Sequence, residues 1–388
     1  SIPGKAGTRG GWTTKSVKVA HLTSVHPPFD TRILHKECVS LAEAGYEVVL
    51  IAPHTRDTQH RGVQIIAVKK AGSRLSRLLV TGWRMLHRAV SERADVYHFH
   101  DPELIPLGLL LRLLGKRVIY DVHEDLPRQV MTKHWIPRSL RGVVSCAVEW
   151  VERMATVFFD GVVVATPIIY NRFADRRAVT VQNFPDLLEF PDCLLKPYSE
   201  RTRGAVYVGG ISRTRGIQEM LESCQYLQDV PSFRLGLAGS FDPPELRDEM
   251  EQLPGWSRVE FFGWQERGGV RDLLVDARVG LVVLHPTANY VQSYPVKLFE
   301  YMAAGVPVVA SDFPIWRDIL ERTRCGLVVD PADPQAIGCA IRDLLDSPSM
   351  AEEMGRNGRE AILKHYNWER EKRALVELYR EAVGDAVV

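Results

Sequence analysis

Short runs of β-branched residues alternate with amphipathic helical patterns along this chain, and the alternation stops once near the middle and then starts again. Runs at 17–23, 47–52, 63–68, 95–99, 117–122, 161–165 and 179–182 read as strands, with helical patterns such as 33–44 and 144–158 between most of them. Strands alternating with helices form a parallel sheet covered on both faces. Residues 183–203 break the pattern with Pro185, Pro191 and Pro197 among charged residues, as a hinge between domains would. A second series of strands follows at 205–208, 234–238, 259–262, 280–284, 306–310 and 326–329. A length of 388 residues also exceeds what one hydrophobic core commonly supports. The expectation is an α/β protein of two doubly wound parallel-sheet domains, 17–190 and 200–365. Ligands are expected beyond the carboxyl ends of the strands, in a cleft between the domains. The last segment, 366–388, carries a helical pattern with no strand after it and is expected to pack back on the first domain.

The net charge of +1 conceals an asymmetry, because residues 1–190 carry +8 and the remainder −7. Basic residues dispersed among strands and helices, rather than gathered in a tail, favour an anionic membrane surface or a phosphorylated acceptor over nucleic acid. The sharpest basic window, 69–93, interleaves Lys and Arg with Leu75, Leu78, Leu79, Trp83 and Leu86. It reads either as an interfacial amphipathic helix or as a surface helix packed on its sheet. Six cysteines with no CxxC pair signal neither a disulfide framework nor a zinc ribbon and fit a reducing cytoplasm. The longest apolar stretch, 104–114, is interrupted by Pro106 and Arg112, so no transmembrane helix is expected. Residues 1–16 lack the apolar core of a signal peptide and are left out of the fold.

Chemistry concentrates between Ser293 and Ser311. Pro295 suits the first turn of a helix, with Ser293 or Tyr294 near the cap. Free amides of Val296 and its neighbours there make an anion site, to which Lys297 adds a positive charge within the same turn. A lysine at a helix N-terminus opposes the helix dipole and needs a reason such as a bound anion. Glu300, one turn later, has a carboxylate suited to accept two hydrogen bonds from a ribose diol. Phosphate and ribose would thus be held by one segment. The motifs GxxxxGK, GxGxxG after a strand and HExxH are absent, which removes support for phosphoryl transfer, dinucleotide redox chemistry and zinc proteolysis.

This segment resembles the nucleotide-sugar signature of the family-four (group 1) glycosyltransferases of GT-B fold, retaining enzymes that build bacterial polysaccharides, in the version KLFEYMAAGVPVVASDFP at 297–314. The likeness extends to HPPFDTRILHKE (26–37), YHFHDPEL (97–104), YDVHED (120–125), YVGGISRTRG (207–216), FFGW (261–264) and HYNWE (365–369). The resemblance implies two facing Rossmann-like domains and transfer of a sugar from a nucleoside diphosphate, UDP favoured and GDP next. The acceptor would be a glycan, a lipid-linked sugar or a small molecule. No metal or other cofactor is implied. It also implies a cytoplasmic enzyme peripheral on the inner face of the cell membrane.

By the same resemblance, Glu300 matches the glutamate closing the family's EX7E motif, whose opening position is Gln292 here. A neutral amide there still hydrogen-bonds sugar hydroxyls. The family's arginine after the first strand of the second domain is replaced by Gly210, and its lysine by Arg215. Arg213 is the expected substitute, so that Arg213 and Arg215 clamp the diphosphate beside Lys297. The donor side then comprises Gly209, Gly210, Gly263, Trp264, Gln292, Ser293, Tyr294, Pro295, Val296 and Glu300. His123 is expected against the donor sugar, with Asp125 orienting its ring or touching the acceptor. His26, Asp30, Arg32, His100 and Asp101 fall on the acceptor side. His98 and His100 share a sheet face if both are strand residues. Their spacing with Asp101 and Glu103 is not that of metal hydrolases, and no DxD pair is present, so no metal is expected. Two rival readings are a nucleotide-sugar epimerase of the same architecture and a non-catalytic nucleotide-sugar-binding protein.

Overall fold

The computed structural model describes residues 16–69, 80–132, 136–230 and 232–384. Eight strands form the first sheet: β1 (Lys18–Leu22), β2 (Glu47–Pro53), β3 (Thr58–His60), β4 (Val63–Val68), β5 (Val96–Phe99), β6 (Arg117–Val122), β7 (Gly161–Val164) and β8 (Ala178–Thr180). Their order is β3-β4-β2-β1-β5-β6-β7-β8, parallel throughout except at the β3–β4 edge. The second sheet contains β9 (Arg203–Val208), β10 (Leu235–Ala238), β11 (Val259–Gly263), β12 (Ala277–Val282), β13 (Val308–Ser311) and β14 (Gly326–Val329). Its order is β11-β10-β9-β12-β13-β14, and every pair is parallel. Both sheets therefore reverse direction of growth beside their first strand, between β1 and β5 and between β9 and β12. Such a reversal is where ligands bind in open α/β sheets.

Strands buried on both faces read as continuous apolar runs, and β2, β5, β7, β10 and β13 are buried through nearly their whole length. Only β3 escapes the sequence pattern, being three residues, Thr-Gln-His, on a sheet edge. Strand β12 starts at Ala277, three residues before the expected 280, because its first half pairs with β9 from Arg203 onward. Gly280 lies under the ring of Tyr301, where an added Cβ would come within 2.4 Å of the ring. The Tyr301 hydroxyl accepts from the Val208 amide at 3.1 Å, which ties the helix Val296–Ala303 to the end of β9.

The chain divides into two compact units, one of residues up to Asp125, Cys146–Val181 and the chain from Lys372, the other of Leu126–Ser145 and Gln182–Glu371. The division falls at Val181 rather than within 190–200. The prolines there mark three short 3-10 turns, Leu187–Glu189, Asp192–Leu194 and Tyr198–Glu200, and not a free hinge. Phe190 and Tyr198 anchor those turns in the core of the second unit. The helix Trp368–Val383 contributes its residues from Lys372 to the first unit, where Tyr379 is fully buried.

In the first unit one sheet face, built on Leu22, Tyr97, Phe99, Tyr120 and Val162, packs against Met85, Leu107, Leu111 and Phe159 from the helices and chain that follow β4, β5 and β6. Of the basic window, residues 70–79 lie outside the described residues. Gly82–Glu92 is a helix that buries Met85 and Ala89 and exposes Trp83. Among the described residues no helix is long and apolar enough to cross a membrane.

Candidate active site

In the second unit the carboxyl ends of β9, β10 and β11 carry Gly209, Gly239 and Gly263, all with positive φ, at +128°, +151° and +64°. The Gly209 amide donates to Ala238 at 2.9 Å and the Gly239 amide to Gly263 at 2.7 Å, so the three lie side by side. A Cβ on Gly239 would stand 1.9 Å from the Gly209 carbonyl oxygen, so this edge is bare backbone because nothing else fits. Trp264, next in the chain, is exposed.

Across this edge lies the helix Val296–Ala303. Its N-cap is Pro295, and no side chain caps it. The Ser293 hydroxyl donates instead to the Tyr290 carbonyl at 2.9 Å, and the Ser293 carbonyl accepts from Trp316 at 2.8 Å. Both groups expected near the cap are thus committed elsewhere, since Tyr294 stacks on Phe299. The Leu298 amide donates to the Pro295 carbonyl at 3.0 Å, so the first-turn amides a ligand would meet are those of Val296 and Lys297. Gln292 is exposed.

Lys297 is half-buried as a residue, yet its Nζ is shielded from solvent and has no hydrogen-bond partner. The ammonium sits 3.7 Å from the centroid of the Tyr207 ring. It lies close enough to Gly209 that a Cβ there would be 3.2 Å away. Burial, reinforced by the neighbouring Arg215 charge, pushes the Lys297 pKa well below its ordinary value, and Glu300 only partly opposes this. A buried cation beside a second cation, offset only in part by Glu300, is costly, and a bound anion would relieve the cost.

Arg215 donates to the Gly210 carbonyl at 3.1 Å and to the Tyr290 hydroxyl at 3.3 Å. A Cβ on Gly210 would stand 2.8 Å from its guanidinium, so a side chain at 210 would push the tip of Arg215 aside. Arg213 corrects the expected clamp. It is exposed and turns away to Gln218 at 2.9 Å and to Glu249. The structure therefore groups Gly209, Gly210, Arg215 and Lys297 and leaves Arg213 out.

Glu300 is buried and accepts from Arg267 at 2.7 Å, while Arg267 also pairs with Glu189. Burial works against the Arg267 charge, but Glu300 and then Glu189 outweigh it and raise its pKa. Sequence reasoning missed Arg267, although it opens the helix three residues after Trp264.

In the first unit, register and alternation assemble a second polar group. His21 of β1 pairs directly with His98 of β5, and both point away from the face that carries Leu22 and Phe99. Asp121 of β6 points the same way. It accepts from His123 Nε2 at 2.8 Å and from His100 Nδ1 at 3.2 Å. With Asp121 as acceptor the remaining bonds order themselves. His100 Nε2 accepts from His21 Nδ1 at 2.9 Å, His21 Nε2 from the Tyr379 hydroxyl at 3.2 Å, and that oxygen from His98 Nδ1 at 2.8 Å. His21, His98 and His100 are neutral in this arrangement, as burial favours. Burial pushes His21 and His98 well below their ordinary values and His100 down to about 4.

Arg32 closes the group, pairing with Asp121 at 3.0 Å and Glu37 at 2.9 Å, and donating to the Val181 carbonyl at 2.6 Å. Burial opposes ionisation of both carboxyls. The Arg32 and His123 contacts nevertheless hold the Asp121 pKa well down, whereas the Asp121 charge pushes Glu37 further up. Two sets of side chains here have ligand-type atoms within 4.8 Å of one another: His21, Glu37, His98 and His100, and His100, Asp121 and His123. Most of those nitrogens are already engaged with one another, with Tyr379 or with Asp121.

Several expected roles change accordingly. Asp121 bonds His123, and Asp125 pairs with Arg172 at 3.2 Å. Arg32 and His100 are buried. Asp101 is buried too, accepting from the Thr23 hydroxyl at 2.8 Å and the Ser24 amide at 2.6 Å, which fixes the loop after β1. Asp30 caps the π-helical segment Thr31–Cys38 through the Arg32 and Ile33 amides. Burial opposes its charge, but the His26 contact and the Ile33 amide hold its pKa at about 2. Of the six acceptor-side residues, His26 keeps the most exposed side chain, at 32%. Asp121, Glu37, His21 and Tyr379 were passed over in the sequence. For His21 and Asp121 the available signal was a polar residue at a single inward position of an otherwise apolar strand.

Two family models match the chain, "Glycosyl transferase 4-like domain" over residues 31–182 and "Glycosyl transferases group 1" over residues 198–361. Glycogen synthase of Mycobacterium tuberculosis is 21% identical over 395 residues, spanning 90% of each chain. Among solved structures, sucrose-phosphate synthase from Thermosynechococcus elongatus is similar with a TM-score of 0.72 at 18% identity, over 94% of this chain and 98% of that one. Anabaena Alr3699/HepE, solved in complex with UDP-glucose, is similar with a TM-score of 0.68 at 12% identity, over 93% of this chain and 99% of that one.

Proposed function

Because this chain belongs to the family-four, or group 1, glycosyltransferases of GT-B fold, we propose that it moves a sugar from a nucleoside diphosphate to a glycan, lipid-linked or small-molecule acceptor. In this reading configuration is retained and no metal takes part. The observation that carries it is the unpartnered Lys297 ammonium, buried beside Arg215 at the bare backbone of Gly209 and Gly210. A diphosphate satisfies both cations and the uncapped first turn of the helix Val296–Ala303 at once. Glu300, braced by Arg267, then faces the ribose. UDP is the favoured base, in line with the UDP-glucose bound by HepE.

As the bond from the anomeric carbon to the β-phosphate oxygen breaks, negative charge grows on that phosphate. Donors already aimed there lower the barrier because they need not reorganise. The acceptor hydroxyl attacks from the side the phosphate leaves, and the departing phosphate oxygen takes its proton. His123 has its Nε2–H committed to Asp121, so its Nδ1 accepts from a sugar hydroxyl. The loops after β1 and β5, with His26, are assigned to the acceptor.

A thermal-shift screen against UDP, GDP, dTDP and ADP tests the donor class, since a ligand that binds only the folded state raises the melting temperature with its affinity. UDP is expected to give the largest shift, lost in Glu300→Ala and Lys297→Met. No shift with any nucleotide, or shifts unchanged in both variants, overturns the assignment. Release of free UDP on adding acceptor separates transfer from a non-catalytic binder, and an epimerised donor without acceptor would mark an epimerase.

A further inference from the structure

Strand alternation puts His21 and His98 on one face of the first sheet, and His100 follows two residues after His98. Glu37 reaches the same place from the π-helical segment Thr31–Cys38. All four are buried, and one ligand-type atom from each lies within 4.8 Å of the other three. The ring centroids stand 4.6 Å apart for His21 and His98, 4.7 Å for His98 and His100, and 5.1 Å for His21 and His100. Three imidazoles on one tetrahedral ion, with bonds of about 2 Å, would have centroids roughly 5 Å apart.

The hydrogen bonds of this group leave atoms over. His98 Nε2 is buried with no hydrogen-bond partner, and both Glu37 oxygens are buried without a hydrogen bond, the Arg32 ion pair at 2.9 Å aside. Unmatched polar atoms in an interior are costly. The nitrogens on the other side of the rings are all held by oxygen. His98 Nδ1 and His21 Nε2 meet the Tyr379 hydroxyl at 2.8 and 3.2 Å, and His100 Nδ1 meets Asp121 at 3.2 Å. Metal-bound histidines are arranged in this way, the second nitrogen donating to an oxygen that fixes the ring. The other set, His100, Asp121 and His123, is already joined by its own hydrogen bonds and by Arg32.

We propose that His21 Nδ1, His98 Nε2, His100 Nε2 and the Glu37 carboxylate bind a divalent transition-metal ion, zinc first, as a structural site inside the first unit. Imidazole ligands suit zinc, and a closed set of four protein ligands is the form its structural sites take. The ion replaces one bond of the chain described above, from His21 Nδ1 to His100 Nε2. The His21 proton moves to Nε2, where the Tyr379 oxygen accepts it. Glu37 binds as the carboxylate and gives up the proton that burial and the Asp121 charge favour on it. Spacing along β5 conceals the site, because two of the four ligands come from β1 and the segment after it. The ion ties the sheet to Thr31–Cys38 and takes no part in transfer, so the site is independent of that reading.

The test is metal analysis of the full chain, produced and refolded with zinc and then dialysed, by plasma emission spectrometry. One zinc per chain is expected. Prolonged treatment with EDTA removes it and lowers the melting temperature, while the UDP shift persists. Cobalt(II) loaded in place of zinc gives the intense visible bands of a four-coordinate ion. His98→Phe and Glu37→Gln each reduce retained zinc by at least about tenfold. A wild-type chain that takes up no ion overturns the proposal, as do variants that hold zinc like wild type. Cobalt bands of a six-coordinate ion alone overturn it too. If circular dichroism shows that a variant does not fold, the cobalt spectrum of the wild-type chain decides. The UDP shift reports on the donor site separately, so failure here leaves that reading unaffected.

Discussion

Lys297 is held where an ammonium is least welcome without a ligand, and that makes its two effects separable. Lys297→Met keeps the length of the side chain while removing the buried charge. The ligand-free protein is expected to gain roughly 1 to 3 kcal/mol of stability, read by chemical denaturation, while its UDP shift disappears. A variant that loses stability and keeps the shift would show that the ammonium is structural. Gly210 and Arg215 make a second residue-level case, since a methyl at 210 displaces the guanidinium. Gly210→Ala is expected to fold normally and lower turnover as far as Arg215→Ala does. The double variant should be no worse than either, because both remove the same interaction. Additive losses in a double-mutant cycle would contradict this.

At the scale of elements, the helix Val296–Ala303 is seated by Tyr301 lying on Gly280 and bonded to the end of β9. Gly280→Ala is expected to destabilise the fold by roughly 1 to 3 kcal/mol through overpacking and to weaken donor binding by shifting the helix start. A melting temperature unchanged from wild type would refute that. All thirteen strands expected from the sequence are present, because strands buried on both faces leave continuous apolar runs; β3, short and exposed at an edge, leaves none. The helix bearing Lys297 and Glu300 was equally legible from Pro295 at its start. What the sequence did not reveal depends on which way a side chain turns. Arg213 and Arg215 are two residues apart and indistinguishable by type, yet one reaches Glu249 and the other Gly210. Asp121 looked like part of a strand, and only the pairing of β5 with β6 brings it beside His100.

At the scale of the whole molecule, three buried neutral imidazoles make the first unit sensitive to acid. His21, His98 and His100 lie among Asp121, His123, Arg32, Glu37 and Tyr379, and burial is the leading cause of each lowered pKa. Above pH 6.5 both folded and unfolded chains leave these rings neutral. As pH falls from there towards about 4, the unfolded chain takes up protons that folded His100 refuses, so stability declines. His100 alone accounts for about 3 kcal/mol by that route. Denaturation midpoints that stay level across this range would refute it, and His98→Gln should flatten the slope. The pairing of Gly210 with Arg215 bears finally on how such a sequence diverges. In any lineage descended from this chain, a side chain regained at the first position pushes the guanidinium at the second off the Gly210 carbonyl. The two columns of an alignment should therefore drift in step.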